Sequence, residues 1–107
     1  MKDTGEFLKE IEKQCQRFFP EAPVLYLEDL PFYIKARIVL SEECILEVRY
    51  NARNNKRSYA LVRGGKRISG FDNLGGWHIH PFGDPEAHKS IAEPSLEDAF
   101  RYFVRDI

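Results

Sequence analysis

The chain has 107 residues, of which 43% are hydrophobic, 13% aromatic and 31% charged, with a formal net charge of −1. That composition supplies one modest core, implies a single domain over residues 1–107, and excludes a disordered chain. No apolar run approaches the ~20 residues that span a bilayer, and the opening Met1-Lys2-Asp3-Thr4-Gly5-Glu6 lacks the apolar stretch of a signal peptide, so a cytoplasmic protein without a membrane partner is expected.

Asp3 is placed to cap a first helix, with Glu6 three residues on. Phe7, Leu8, Ile11, Cys15 and Phe18 then repeat at helical spacing until Pro20 and Pro23 end the element. From Phe32 to Leu40 the period changes to two: Phe32, Ile34, Ala36, Ile38 and Leu40 alternate with Tyr33, Lys35 and Arg37, the pattern of a half-buried strand. Ser41-Glu42-Glu43 turns the chain into a second strand, Ile45 to Tyr50, with Leu46, Val48 and Tyr50 on one face. A polar loop over Asn51 to Asn55 leads to a third strand from Arg57 to Arg63. Gly64-Gly65 forms a two-residue hairpin turn that needs positive φ, and Lys66 to Phe71 returns as a fourth strand. A regular hairpin sets Leu61 opposite Ile68 and Tyr59 opposite Gly70. Asp72 to Gly76 reads as a turn, Trp77 to His80 as a short fifth strand or extended arm stopped by Pro81, and Phe82 to Ala92 as a loop. Ser95 and Asp98 form a capping box for a last helix, in which Leu96, Ala99, Phe100, Phe103, Val104 and Ile107 keep a helical period. The fold class is therefore α+β: an N-terminal helix, a four- or five-stranded antiparallel meander and a C-terminal helix, both helices on one sheet face.

Charge is unevenly spread. Between Val48 and Phe71 lie seven basic residues and no acidic one, while both flanking regions are acidic. Arg49, Arg57 and Arg63 are candidates for a basic surface that contacts RNA phosphates on the uncovered face; a solvated hairpin is the plainer reading. Cys15 and Cys44 have no Cys-x-x-Cys spacing and read as structural.

The chemistry concentrates in Trp77 to His88, which holds all three histidines of the chain. On an extended strand His78 and His80 point the same way, and His88 returns from the loop. Two uses fit. As acid and base, His78 and His80 would cleave RNA without a metal ion, with arginines stabilising the phosphorane. As ligands, His78, His80 and His88 would hold zinc or iron. Asp72 and Asn73 stand just upstream, Asp72 as a catalytic carboxylate and Asn73, with His88, as an RNA contact. Asx residues before Gly75-Gly76 are also ordinary turn formers.

Tyr59, the Phe71-Asp72-Asn73 step, the histidine segment and the Leu96-Glu97-Asp98 helix start together resemble the TumE family of small toxins from bacterial and archaeal toxin–antitoxin pairs. The match runs in order over most of the chain, its specific part being residues 57–100. His78 and His88 fit the family's histidine-rich loop; Ala87 departs from the adjacent histidines the family often carries there. The resemblance implies a toxin neutralised by a cognate antitoxin, with an RNA or translation target. A homodimer is a further assembly left open, and a non-catalytic protein-interaction module is the alternative function.

A rival resemblance is to the metal motif of JAMM-type metalloproteases, which would use His78, His80 and Asp98 as ligands and Glu47 as base. Only 26 residues follow Pro81, and the spacing to Ser95 is too long for that pattern.

Overall fold

The computed structural model describes residues 3–105. The elements in chain order are α1 (Thr4–Phe18), β1 (Val24–Leu30), β2 (Tyr33–Val39), β3 (Cys44–Asn51), β4 (Lys56–Arg63), β5 (Lys66–Asp72), β6 (His78–His80), β7 (Lys89–Ser90) and α2 (Leu96–Val104). The seven strands form one antiparallel sheet whose spatial order is their chain order.

The expected helices start where their caps put them. Asp3 accepts a hydrogen bond from Glu6 N, and Ser95 with Asp98 closes a reciprocal capping box at α2. Val104 is exposed at the end of α2, and Ile107 lies outside the described residues.

One sheet face is buried under both helices. Its floor is Ile34, Ala36 and Ile38 of β2, Leu46, Val48 and Tyr50 of β3, and Tyr59 and Leu61 of β4. Phe7 of α1 stacks on Tyr50 with ring centroids 4.5 Å apart. Phe103 and Tyr102 of α2 meet Phe71 edge-on, and Phe18 and Phe19 pack on Phe100. The helices are thus joined to the sheet and to each other by aromatic contacts. Cys15 and Cys44 are buried thiols of this core, as expected; burial pushes the Cys15 thiol up to about 11, aided by Glu12.

Three features differ from the sequence expectation. The sheet has two further strands, β1 and β7, both at its edges. β1 shows no alternation of burial, since every residue after Val24 is exposed, so period-two reasoning has nothing to detect.

The second difference is the register of the β4–β5 hairpin. Gly64 and Gly65 do take positive φ, at 59° and 78°. Arg63 pairs with Lys66 and Val62 with Arg67, but Leu61 then faces Ser69 and Tyr59 faces Phe71. Ile68 is the extra residue of a β-bulge, and every β5 side chain beyond it changes face. Phe71 and Ser69 join the core, while Gly70 and Asp72 turn to the uncovered face.

The third difference concerns the arginines. Arg57 pairs with Tyr50, and Arg63 with Cys44, so both point to the helix side rather than to the uncovered face. The Arg57 guanidinium lies 4.9 Å from the Tyr50 ring centroid and is held by Asn55 Oδ1. Arg63 sits exposed at the strand end.

Burial pushes the Tyr59 phenol up to about 12, against the pull of neighbouring Arg57. A raised folded-state value means the neutral ring stabilises the fold fully below the ordinary tyrosine value, and that stability is lost as pH rises through the folded value. The Tyr59 contribution to the urea midpoint should therefore hold to about pH 10 and be lost between about pH 10 and 12, by the equivalent of about 2–3 kcal/mol. In Tyr59→Phe the alkaline loss should be smaller; an identical loss in both proteins would show that Tyr59 does not titrate this way.

Candidate active site

The uncovered face is read directly from the register. Lys35 and Arg37 of β2 stand beside Arg49 and Glu47 of β3; these face Ser58 and Ala60 of β4, then Asp72 and Gly70 of β5, and finally His78 and His80 of β6. Small side chains make a trough in the middle of this row. Its two adjoining depressions, about 320 and 190 Å³, share Arg49, Ser58 and Asp72 as walls. Gly70 is required there, because a Cβ would lie 2.9 Å from the Tyr59 carbonyl oxygen.

Glu47 organises the basic side of the trough. Its carboxylate accepts from Arg37 Nε at 3.0 Å and from Arg49 Nη2 at 2.7 Å. Burial opposes ionisation of Glu47, but the hydrogen bonds and charges of Arg49 and Arg37 outweigh it and hold the carboxyl below its usual value.

At the other side one carboxylate grips two imidazoles. Asp72 Oδ1 is 2.9 Å from His78 Nε2, and Asp72 Oδ2 is 2.8 Å from His80 Nε2. Leu74 N donates to Asp72 Oδ1 at 3.1 Å, fixing the carboxylate in the turn that follows β5. The ladder enforces this convergence, since Asp72 pairs with His78 across the strands and Gly70 with His80. The His80 side chain is only 3% exposed, against 17% for His78. His80 Nδ1 lies 3.2 Å from the Pro85 carbonyl, which also accepts from Arg67 Nη2 at 3.2 Å. Both His80 nitrogens therefore face acceptors; a doubly protonated ring satisfies both, a neutral ring only one.

The loop between β6 and β7 brings His88 back onto this pair. Its ring centroid is 4.4 Å from that of His80 and 5.2 Å from that of His78. One ring nitrogen from each of the three histidines lies within 4.8 Å of those from the other two, a spacing compatible with a shared ligand. His88 is exposed.

Asp72, His78, His80 and His88 are thus brought together as the sequence suggests, and Arg49 shares their face. Arg57 and Arg63 do not. Asn73 is fully engaged elsewhere: its Oδ1 accepts from Arg57 N at 2.9 Å and its Nδ2 donates to Asn55 O at 2.6 Å. This clamp holds the tight turn before β4, where Asn55 takes a left-handed φ of 59°. Asp98 belongs to the α2 capping box and Glu47 to the two arginines, so the JAMM-like ligand set is not assembled. Arg67 is the residue that sequence reasoning missed. It lies in the basic window, pairs with Val62 ahead of the bulge, and so stands on the uncovered face.

The family model for toxin TumE matches residues 6–107, nearly the whole chain. The chain belongs to the toxin TumE family. As a TumE-family member it is a toxin of a toxin–antitoxin pair, with an antitoxin as the implied partner. No curated protein and no solved structure matches the chain. Among the described residues of this TumE-family chain, no helix is long and apolar enough to cross a membrane.

The Asn73 clamp yields a direct expectation. Asn73→Ala leaves the Arg57 amide and the Asn55 carbonyl without these partners, which should lower stability by about 1–3 kcal/mol in urea unfolding. Asn73→Asp retains the acceptor for the Arg57 amide but sets a carboxylate oxygen against the Asn55 carbonyl, so it should not restore the lost stability. A loss of RNA binding in Asn73→Ala with unchanged stability would instead make Asn73 a ligand contact.

Proposed function

We propose that this toxin binds RNA across the uncovered sheet face and cleaves it without a metal ion. The observation that carries the reading is the Asp72 carboxylate held between Nε2 of His78 and Nε2 of His80. His78 Nε2 lies 2.9 Å from Asp72 Oδ1, and the tautomer that carries its proton on Nε2 keeps a lone pair on Nδ1. An imidazole oriented by a carboxylate in this manner is suited to act as a general base.

In this reading His78 takes the proton of a ribose 2′-hydroxyl. The oxygen attacks the adjacent phosphorus, and the 5′-oxygen of the next nucleotide departs with a proton from His88. The products are a 2′,3′-cyclic phosphate and a free 5′-hydroxyl. His80 is the positioning residue. Its burial and its two occupied nitrogens suit it to hold Asp72 and the Pro85 loop rather than to meet substrate. Arg49 and Arg67 supply positive charge on the same face for the phosphorane. The need for a 2′-hydroxyl accounts for RNA rather than DNA as substrate.

A second reading, a non-catalytic interaction module, is favoured by one observation. The β1 edge exposes Leu25, Tyr26, Leu27 and Leu30, apolar surface that suits contact with the antitoxin or a second copy of the chain.

Labelled RNA incubated with purified protein separates the two. Cleavage should persist in EDTA, leave cyclic phosphate ends, and fail where the 2′-hydroxyl is replaced by hydrogen. His78→Ala and His88→Ala should each slow it by about 10²–10⁴-fold. Growth inhibition undiminished in the double variant would overturn catalysis and leave the interaction module. Leu25→Asp with Leu27→Asp should weaken antitoxin binding and spare cleavage.

A further inference from the structure

The same three rings also form a donor set for a metal ion. We infer that His78, His80 and His88 bind one zinc-class divalent ion, and that the bound ion switches off the proton transfer proposed above. The inhibitory half rests on that reading; the binding site does not.

Neutral imidazole is a preferred ligand of zinc(II) and its first-row neighbours. Tetrahedral zinc with bonds of about 2.0–2.1 Å holds its ligand atoms about 3.3–3.4 Å apart. One nitrogen from each of the three rings already lies within 4.8 Å of the other two, so closure needs a movement of up to about 1.5 Å. In this proposal the loop that carries His88 supplies the movement. His78 and His80 are fixed on β6, which is paired on both sides by β5 and β7. His88 is exposed at the end of the loop from Pro81, whose Gly83 takes a positive φ of 89°.

Asp72 has the place of the outer carboxylate that orients metal-bound histidines. It lies 2.9 Å from Nε2 of His78 and 2.8 Å from Nε2 of His80, so an ion taken by the opposite nitrogens would leave both of these contacts in place. At His80 that other nitrogen faces the Pro85 carbonyl. Pro85 lies on the same loop as His88, so a single loop displacement frees the His80 nitrogen and brings His88 in.

The two uses of the cluster exclude each other. Acid–base cleavage needs a lone pair on one ring and a proton on another. A metal takes a lone pair from all three rings and displaces the protons that compete for them. The ion and the 2′-hydroxyl therefore cannot be served together.

The test is a titration of metal-free, full-length protein with zinc chloride. Calorimetry reads the stoichiometry and imidazole NMR reads the ligands. One ion per chain is expected, with shifts at all three histidines. Exposed His88→Ala, which does not threaten the fold, should weaken binding at least tenfold, and Asp72→Asn by about 10–100-fold. RNA cleavage should fall in step with zinc occupancy and return with EDTA. Binding unaffected by His88→Ala, or no stoichiometric binding, overturns the site. Zinc that binds and accelerates cleavage overturns the inhibitory role. Zinc that binds a protein which cleaves no RNA upholds the site while removing both the inhibition and the function proposed above.

Discussion

The bulge at Ile68 is the constraint on which the site depends. Strand side chains alternate faces, so inserting one residue into β5 inverts every side chain that follows it. In a regular hairpin Asp72 would share the face of Arg57 and Tyr59, beneath the helices. With the bulge, Phe71 enters the core against Tyr102 and Phe103, and Asp72 turns outward. The β5–β6 ladder then transmits the choice. His78 and His80 follow Asp72 and Gly70 to the outer face, and Ile79 follows Phe71 inward. A single register shift thereby satisfies the core and assembles the polar cluster together.

The two sheet faces divide the work of stability and chemistry. The inner face is closed by aromatic residues of both helices on a floor of branched aliphatic side chains. Among the described residues no element covers the outer face, so its polar groups order one another. Glu47 gathers Arg37 and Arg49, Asp72 gathers His78 and His80, and the Pro85 carbonyl ties Arg67 to His80. Burial of the carboxylates and of His80 is partial to high, which makes each of these contacts stronger than the same contact in open water. Small residues between them, Ser58, Ala60 and Gly70, leave a trough rather than a filled surface.

The basic window in the sequence is a poor guide to the basic surface. Its arginines lie on different faces because β4 and β5 place neighbours on opposite sides. Arg57 stacks on core aromatics and is spent on structure, while Arg49 and Arg67 reach the trough. Asn73 shows the same lesson: an Asx residue beside the site is committed to two backbone groups and holds a turn.

Local pattern determined most of the architecture. Helical and strand periods, the two helix caps and the Gly64-Gly65 turn are encoded within a few residues of one another, and the TumE motif residues are contiguous enough to be legible in one dimension. The sequence also brought His78 and His80 to one side of a strand, because that follows from period two alone. Tertiary structure decided the rest. It added β1 and β7, edge strands with no burial alternation to read. It chose which face the histidines occupy and returned His88 to them. It also made Asp72 their shared partner rather than only a turn former. These outcomes depend on pairing between distant strands and on the bulge in that pairing, and parity between strands is a non-local property that no stretch of residues carries by itself.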